Sequence, residues 1–489
     1  MATNKLNLLA FSKPEIKTLH LTWFAFFLSF MVWFAHAPLM VVIRDAMHLT
    51  EQEVKILLIL NISLTIPARI VVGMLVDKYG PKQLFSSILI LGGLISIGFA
   101  FTQTYQQLAI VRFLSGFVGA GFVVGIRMIS EWFPARQTGI AQGIYGGWGN
   151  FGSAGAALIL PSVAIYFGAE NGWRYAIGIT GAVAIVYGVI YYFSVSNTPK
   201  GSTYFKPKKM GALEVTSKGD LLLYIIMNIP MYIALSVLTW KLSAKMHWID
   251  ETVAYAVYAT LAVLYVFQVW KIIQVNKPIF ETEVPEIQRY AFKQVAILDL
   301  AYMLTFGAEL AVVSMLPLYY VDTFNVEPVL AGVLAGIYPV INLFARPAGG
   351  WLSDKIGRKI TLGIVTSGAA GSFFLLGTVT TDWALWAVVA TTILAGIFSK
   401  AGSGAVYAMV PLIQRRMTGQ FAGMVGAFGN VGGLAFLTVF SFVSTDIFFM
   451  TIAGTAAFVF LMVLFFLDEP SGHMVEILED GTVEMIEVK

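Results

Sequence analysis

Two arginines in apolar sequence, Arg69 and Arg346, are the residues whose type and spacing point most directly to chemistry. Each is followed eight residues later by an aspartate, Asp77 or Asp354, and the two copies of the pattern lie 277 residues apart. Eight helical residues span roughly 12 Å, which places each arginine near the middle of a hydrocarbon core about 30 Å thick. A charged side chain at that depth costs about 2.5–3.5 kcal/mol on insertion scales and indicates a functional site. Two at matched positions predict one anion site shared by two halves, although each could instead be a structural arginine bound to a carbonyl or carboxylate.

The composition indicates a membrane protein with many spans. Of 489 residues, 58% are hydrophobic and 12% are charged, and the mean hydropathy is +0.78, whereas soluble domains carry about 25% charged residues. The absence of cysteine excludes disulfides, thiol catalysis and cysteine-ligated metals. No metalloprotease, phosphate-loop or nucleophile-elbow motif is found, so we expect no enzyme activity, no cofactor and no metal site. The net charge of +3 is too small to suggest nucleic-acid binding.

Apolar stretches long enough to cross a bilayer predict six spans, then two, then six. The predicted spans are 21–43, 54–76, 83–103, 107–130, 138–168 and 172–196, then 221–240 and 251–275, then 294–322, 328–352, 359–380, 384–412, 418–443 and 447–467. The predicted organisation is a cytoplasmic N-terminus (1–20), an N-terminal six-helix bundle (21–196), a linker with two extra membrane helices (197–293), a C-terminal six-helix bundle (294–467) and an acidic, loosely ordered cytoplasmic tail (468–489). The predicted fold class is therefore an all-α polytopic membrane protein with about 14 spans.

The distribution of Lys and Arg predicts how this chain is oriented. With both termini inside, five Lys and Arg residues fall on segments facing outward: Arg44, Lys55, Arg174, Lys241 and Lys245. The large excess on the other side is what the positive-inside rule expects. We therefore predict a multi-pass protein of the plasma or inner membrane, with both termini and both aspartates on the cytoplasmic side.

Two glycine-rich segments each carry one asparagine. Gly143–Ala157 contains Asn150, Gly423–Gly433 contains Asn430, and the two asparagines lie 280 residues apart. Small residues at this density allow helix backbones to pack closely, which accounts for the glycines. An amide in hydrocarbon needs a partner, and its NH2 group can donate to an anion, so we expect the asparagines to line the site, with helix packing as the alternative.

Short motifs at the helix ends resemble the major facilitator superfamily, whose fold has two six-helix halves related by a parallel repeat. The residues that resemble its signatures are Gly73, Asp77, Gly80 and Lys82, their repeat Gly350, Asp354, Gly357 and Lys359, and Arg112 near the start of the fourth predicted span, 107–130. The resemblance implies that these residues fasten the inner ends of helices and act in gating.

Within that superfamily, the glycine-asparagine segments GGWGNFG and GAFGNVGG resemble the nitrate signatures of the nitrate/nitrite porters, including the plant high-affinity nitrate transporters. The resemblance implies that Arg69 and Arg346 clamp nitrate from opposite halves. It also implies substrate contacts for the residues Asn150, Asn430, Gly149, Gly429, Tyr302, Phe306 and, as a weaker match, Phe34. The expected partners are nitrate, nitrite, protons and the lipid bilayer.

The energy source for transport depends on whether an acidic side chain near the anion site can carry a proton together with the anion. Glu309, in the same segment as Tyr302, is the proton-coupling candidate. A carboxyl beside arginines can change protonation with substrate occupancy, or it can form a standing ion pair. Lys400 could be its partner or a third positive charge for the anion. The prediction is nitrate import by proton symport; the alternatives are a nitrate/nitrite exchanger, a porter for another small anion and, more distantly, a transporter-like nitrate sensor.

Overall fold

The computed structural model describes residues 6–168, 171–207, 211–245, 247–281, 284, 289–326, 328–440, 442–470, 473–477 and 483–487. Nearly all of the regular structure is helical. The helices are α1 (Pro14–Phe34), α2 (Met40–Ala46), α3 (Glu51–Tyr79), α4 (Pro81–Ala100), α5 (Tyr105–Ser115), α6 (Gly121–Trp132), α7 (Ala135–Asn150), α8 (Gly152–Phe167), α9 (Gly172–Ser194), α10 (Lys218–Trp240), α11 (Glu251–Val275), α12 (Pro278–Glu281), α13 (Phe292–Phe324), α14 (Pro328–Val340), α15 (Asn342–Ile356), α16 (Arg358–Gly377), α17 (Leu385–Met409), α18 (Thr418–Phe440) and α19 (Thr445–Phe466). Short 3-10 turns at Ala37–Leu39, Gly116–Ala120, Val410–Leu412 and Arg415–Met417, and a π-helical turn at Lys241–Lys245, join or extend these helices.

Local sequence signals fix where the long helices begin and end. Thr50 and Glu53 form a reciprocal capping box at the start of α3. Gly80, with φ +90°, ends α3, and Pro81 begins α4. Gly357, with φ +106°, makes the same turn between α15 and α16. A positive φ favours glycine, which explains why the signature requires glycine at both turns.

Thirteen helical segments of the described chain are long and apolar enough to cross a membrane. The fourteenth predicted span, 328–352, is formed by α14 and α15 in succession, each shorter than the others. The two helices are separated at Ile341, with Pro339 inside α14 and Pro347 inside α15. Proline removes a backbone hydrogen-bond donor and so weakens helix continuity at such a point.

Four helices form the main contact between the two six-helix halves. In the described chain, α3 packs against α18, and α15 packs against α7, so each arginine-bearing helix contacts a glycine-rich helix of the opposite half. The end of the bundle at which α3 and α15 finish carries Asp77 and Asp354, and we call it the gate end. The first helix starts there, at Pro14, and the last one finishes there, so both ends of the described chain lie at the gate end.

The two extra helices pack beside the C-terminal half. α10 contacts α13 and α18, whereas α11 packs mainly on α10 and exposes apolar side chains such as Tyr255 and Val263. A polar chain joins the pair inside the hairpin: Gln268 Nε2 donates to Asn228 Oδ1 at 2.7 Å, and the Tyr232 hydroxyl donates to Gln268 Oε1. The hairpin is therefore held together by hydrogen bonds in apolar surroundings.

The tail differs from the loose segment that we expected from its acidity. His473–Ile477 (β1) and Val483–Glu487 (β2) form an antiparallel hairpin. Before it, the Glu469 carboxylate accepts hydrogen bonds from the N–H groups of Arg358 and Lys359 at 2.8 and 2.7 Å, at the start of α16. An anion at a helix N-terminus satisfies free donors, so a carboxylate anchors the tail to the bundle.

Candidate functional site

Arg69 and Arg346 lie at the centre of the bundle, with 1% and 2% of their surface exposed. Each reaches into the opposite half. Arg69 Nη1 donates to the Gly426 carbonyl at 2.6 Å, and Arg346 Nη1 donates to the Gly146 carbonyl at 3.4 Å. Gly146 and Gly426 are 280 residues apart, the same offset as the two asparagines. The two arginines therefore cross the boundary between the halves in related ways.

Two phenylalanine rings lie beside both guanidinium groups. The carbon at the centre of the Arg69 guanidinium lies 5.6 Å from the Phe122 ring centroid and 5.3 Å from that of Phe306. The corresponding distances for Arg346 are 5.8 and 5.6 Å. The two guanidinium groups and the two rings therefore alternate around a centre, and the four guanidinium–ring distances are nearly equal. Such an arrangement offers two hydrogen-bonding forks between two flat apolar faces, which suits a small planar anion.

The predicted asparagines share the arginines' carbonyl partners. Asn150 Nδ2 donates to the Gly146 carbonyl at 2.8 Å, and Asn430 Nδ2 donates to the Gly426 carbonyl at 3.2 Å. Among the described residues, Asn430 Oδ1 is buried without a hydrogen-bond partner. In the closed site each amide is thus occupied within its own helix, next to the guanidinium that crosses from the other half.

The structure places Tyr302, which the family resemblance implied as a substrate contact, beside Arg346. Its hydroxyl accepts a hydrogen bond from Arg346 Nη2 at 3.1 Å, and its ring stacks on Phe306 with a centroid distance of 5.1 Å. Tyr407 of α17 packs edge-on against Tyr302 at 4.8 Å and was not anticipated. The C-terminal half therefore supplies most of the aromatic wall around Arg346.

Glu309 lies between two cations. Its Oε2 is 4.0 Å from Arg346 Nη2, its Oε1 is 3.9 Å from Lys400 Nζ, and Oε1 also accepts a hydrogen bond from Asn342 Nδ2. Lys400 is fully buried, and its Nζ lies 3.4 Å from the centroid of the Tyr338 ring. The structure thus places Lys400 beside Glu309, which was one of the two roles considered for it. The pair distances are long for ion pairs, so Glu309 is near both cations without a tight bond to either.

The gate end is closed by two matching contacts between the halves. The Asp77 carboxylate accepts hydrogen bonds from the N–H groups of Gly419 and Gln420, both at 2.9 Å, in the first turn of α18. The Asp354 carboxylate accepts from Gly139 and Ile140 at 3.0 and 2.8 Å, in the first turns of α7. A carboxylate is favoured at a helix N-terminus by the exposed N–H groups and the helix dipole. Each aspartate therefore fastens a glycine-rich helix of the opposite half.

The signature glycines lie at the same two crossings. A Cβ atom on Gly73 would come within 2.3 Å of the Gly419 carbonyl oxygen, and one on Gly350 within 2.0 Å of the Gly139 carbonyl oxygen. Only glycine allows the helices to approach this closely.

A charge network strengthens the Asp77 contact. Arg127 Nε lies 3.5 Å from Asp77, and Arg127 Nη2 lies 3.0 Å from Glu131. Arg127 Nη2 also donates at 2.7 Å to the carbonyl of Phe205, in the linker after α9. The linker's Tyr204 donates to the Val76 carbonyl at 2.6 Å. The linker is therefore part of the closed gate.

The two signature lysines have a different position. The Lys82 backbone N–H donates to the Asn197 side chain at 2.9 Å, and the Lys359 backbone N–H donates to Glu469. The Lys82 ammonium lies over the Tyr192 ring at 4.5 Å. Both lysines begin a helix and are anchored within their own half, next to the aspartate contacts.

Arg112 is not at the gate end, contrary to the resemblance-based expectation. It donates to the carbonyls of Trp33 and Leu57, both at 3.2 Å. These atoms lie at the opposite end of the bundle, where α1 finishes and α3 begins, and both belong to the N-terminal half. Arg112 therefore joins α1, α3 and α5 of one half. It lies away from the gate end because α5 starts at the opposite end of the bundle and Arg112 is only seven residues after its first residue, Tyr105.

Phe34 is also displaced from its expected role. Its described ring contacts are with Phe30 and Trp33, at 5.3 and 4.8 Å, and not with an arginine. The phenylalanine that faces the arginines from the N-terminal half is Phe122 of α6. Nothing in the sequence distinguished Phe122 from the other phenylalanines of that half.

The glycines Gly149 and Gly429 contact rings rather than open space. A Cβ on Gly149 would come within 1.8 Å of the Phe26 ring, and one on Gly429 within 2.7 and 2.8 Å of the Tyr302 and Phe306 rings. In the closed state both glycines serve aromatic packing. Phe26 and Phe306 are 280 residues apart, so the repeat offset was the signal that could have identified Phe26.

Comparison with known proteins identifies the family. The sequence matches the profile described as Major Facilitator Superfamily over residues 22–284 and 298–487. The chain belongs to the major facilitator superfamily. It is 43% identical over 476 residues to "Nitrate/nitrite transporter NrtP" of Nostoc punctiforme, covering 96% of this chain and 95% of that protein, and so belongs to the same family of transporters. It is 27% identical to "High-affinity nitrate transporter 2.3" of Oryza sativa, covering 87% of this chain and 72% of that one.

The structure is also similar to a solved structure of the proton:xylose symporter XylE, with a TM-score of 0.61 and 14% sequence identity. The matched region covers 94% of this chain and 97% of the XylE chain. That likeness concerns the fold alone. The predictions of a major facilitator fold and of the nitrate/nitrite porter family are confirmed. The protein is a multi-pass membrane transporter and not an enzyme.

Proposed function

We propose that this transporter imports nitrate, and also accepts nitrite, by alternating access with proton symport. The observation that carries the proposal is the central arrangement of Arg69 and Arg346, which cross between the halves and flank the same two phenylalanine rings. The relatives' printed names, nitrate and nitrite transporters, supply the choice of anion.

Recognition in this proposal depends on the guanidinium forks. Nitrate is planar, and each of its edges can accept two parallel N–H donors from one arginine. The Phe122 and Phe306 rings bound the space on their two sides, which favours a flat anion over a bulkier carboxylate. When the anion binds, it takes over donors that the Gly146 and Gly426 carbonyls accept in the closed state.

Asn150 and Asn430 act beside the arginines in this proposal. The NH2 group of each asparagine has two hydrogens, and its bond to the glycine carbonyl uses one, so the second can donate to the anion. Gly149 and Gly429 provide the close packing that holds Phe26, Tyr302 and Phe306 next to the site.

Alternating access requires the gate end to open. We place this end and both termini on the cytoplasmic side of the cell membrane, because the excess of Lys and Arg is found there. Opening breaks the bonds of Asp77 to α18 and of Asp354 to α7, and the two six-helix bundles, 21–196 and 294–467, then rock around the central site.

Proton coupling is assigned to Glu309. Import of nitrate against an inside-negative potential costs about 2.3 kcal/mol per charge per 100 mV, so accumulation needs a driving ion. Anion binding at Arg346 adds negative charge next to Glu309, which favours the protonated carboxyl. Glu309 then carries a proton inward with the anion. Exchange of nitrate for nitrite is the second candidate, and the standing contact of Glu309 with Lys400 favours it.

Uptake into proteoliposomes tests the proposal. Purified transporter is reconstituted without internal anion, and nitrate uptake is followed with and without an inward proton gradient, with an Arg69→Lys variant as control. We expect uptake that increases with the gradient in the wild type and is lost in the variant. Uptake that requires internal nitrite or nitrate would instead establish exchange, and transport of larger anions only would contradict the substrate assignment.

A further inference from the structure

Asp299 of α13 is a buried carboxyl that neither the anion site nor the gate uses. It is 0% exposed, and within the part of the chain that the structure describes, neither of its oxygens has a hydrogen-bond or ion-pair partner. The buried carboxylates that do have a cation within 4.0 Å are Asp77, Glu131, Glu309 and Asp354. Asp299 therefore differs from them in having no charge to balance its own.

Asp299 lies on the helix that also carries Tyr302 of the anion site. Asp299 precedes Tyr302 by three residues, about one helical turn, on the side of α13 nearer its start. That start lies at the gate end, where the Phe292 N–H donates to Asp220 of α10. Asp299 is thus between the anion site and the gate end, on the same helix as the Tyr302 hydroxyl that accepts from Arg346.

Within the described part of the chain, the titratable groups nearest Asp299 supply no positive charge. Tyr224 of α10 and Tyr407 of α17 are within electrostatic range of it, and both are neutral phenols. The other titratable or charged side chains on helices packed against α13 are Lys218, Asp220 and Tyr232 of α10, Tyr338 of α14, Lys400 of α17 and Asp446 of α19. α18 carries none. The one buried lysine of that set, Lys400, contacts Glu309 and the Tyr338 ring.

A carboxylate without partners in an apolar interior is strongly unfavourable, and such a group takes up a proton instead. We infer that Asp299 is a second proton-binding residue of this transporter, protonated in the resting state with the gate end closed. The inference rests on the proposed symport function. A proton enters with the anion, forms the neutral carboxylic acid of Asp299, and leaves to cytoplasmic water when the gate end opens and hydrates this part of the cavity.

The unfavourable free energy of burying a carboxylate also affects closure of the gate end. Once ionised in the open state, Asp299 resists return to its dry site, because burial of the carboxylate is unfavourable. Closure of the empty transporter with Asp299 ionised is therefore slow. After closure, the ionised carboxyl takes its next proton from the outer side, so each cycle moves one proton inward. Glu309 differs, since Arg346 and Lys400 stabilise its ionised form in the closed state.

The test uses Asp299→Asn, which resembles the protonated side chain but cannot release a proton, with Asp299→Glu as the variant that keeps a carboxyl. Proteoliposomes containing a pH-sensitive dye report protons entering per nitrate, and counterflow of labelled nitrate reports anion exchange. We expect Asp299→Asn to lower the proton-to-nitrate ratio and to reduce gradient-driven accumulation by about ten-fold while counterflow continues, and Asp299→Glu to restore coupling.

Infrared spectroscopy gives a readout that does not depend on transport. In the closed wild-type protein we expect the carbonyl stretch of a protonated carboxylic acid, lost in Asp299→Asn and kept in Glu309→Gln. A wild-type proton-to-nitrate ratio in Asp299→Asn, or a carboxylic-acid band that the substitution leaves unchanged, would overturn the inference. Absence of nitrate counterflow in the wild type would contradict the proposed function, while the band would still decide whether Asp299 binds a proton.

Discussion

Arg69 and Arg346 occupy matching positions in the two halves, but among the described residues only Arg346 has a carboxylate beside it. Both reach a glycine carbonyl of the opposite half, and both lie over Phe122 and Phe306. Arg346 also lies 4.0 Å from Glu309, whereas Arg69 has no ion-pair partner in the described chain. Its other hydrogen bond is to the Gly119 carbonyl at 3.3 Å.

This difference between the two arginines separates the residues that recognise the anion from those that couple its transport to protons. Clamping a planar anion requires a fork from each side, so the guanidinium geometry is duplicated. A change of charge requires titratable groups, and Glu309, Lys400 and Asp299 all lie in the C-terminal half. We therefore expect substitutions at duplicated positions to affect binding, and substitutions at unduplicated positions to affect the energy source.

Replacement of either arginine by lysine should have the largest effect. A lysine ammonium is a point charge and cannot present two parallel donors. We expect Arg69→Lys and Arg346→Lys each to lower nitrate uptake by at least about 100-fold, equivalent to about 2.8 kcal/mol of binding free energy. Uptake into proteoliposomes measures it, and an unchanged size-exclusion profile shows that the variant is folded. Near-wild-type uptake by either variant would contradict the clamp.

Glu309→Gln should affect coupling more than binding. Among the described residues, no carboxylate lies beside Arg69 as Glu309 lies beside Arg346. Removal of the carboxylate leaves Arg346 and Lys400 uncompensated, so nitrate should bind more tightly while gradient-driven accumulation falls about ten-fold. Nitrate affinity by titration calorimetry and uptake with a proton gradient measure the two effects. In the double variant with Lys400→Met, the gain in affinity should decrease. A parallel loss of affinity and accumulation would mean that Glu309 is a structural partner only.

The gate contacts should differ in strength despite their matching geometry. Asn in place of either aspartate can accept one backbone N–H but turns its own NH2 group toward the other. Because Asp77 also contacts the buried Arg127, Asp77→Asn should open the gate end more than Asp354→Asn. The chain has no cysteine, so single substitutions Thr418→Cys and Thr138→Cys report opening by maleimide labelling. We expect labelling to increase by about three- to ten-fold for Asp77→Asn. Equal, unchanged labelling in both variants would contradict a gating role.

Phe306 and Phe26 provide the smallest and most specific comparison. They are related by the 280-residue offset, but Phe306 contacts both guanidiniums, whereas the described ring contacts of Phe26 include Phe122 and Tyr145. Cation–π contacts contribute about 0.5–1 kcal/mol each, so Phe306→Leu should raise the KM for nitrate by about two- to five-fold. Phe26→Leu should change KM less. The reverse order in uptake kinetics would place the anion nearer the N-terminal half.

Some elements of the site were predictable because a repeat fixes them. An arginine eight residues before an aspartate near the helix end has a defined depth in the bilayer, so the sequence predicts Arg69 and Arg346 together near the midplane. The same argument placed Asp77 and Asp354 at one end. Arg112 was misplaced because its signature was assigned to the gate without following the direction of its helix.

Other elements depended on which helices face each other. The aromatic partner from the N-terminal half is Phe122, not Phe34, and the space next to Gly149 is filled by Phe26. Helical periodicity gives the depth and the face of a side chain, but in an apolar chain nearly every face is hydrophobic, so the pattern does not reveal the neighbour.

The class of protein, the two repeated halves, the paired arginines and the gate motifs can all be read from the sequence, because composition and helix geometry are local properties that repeat along the chain. The three-dimensional packing was needed to show that each aspartate fastens a helix of the other half and that Glu309 lies between Arg346 and Lys400. It was also needed to show that Asp299 has no hydrogen-bond partner among the described residues. The physical reason is that the charge state of a buried group is determined by its neighbours in space, which residues far apart in the chain provide.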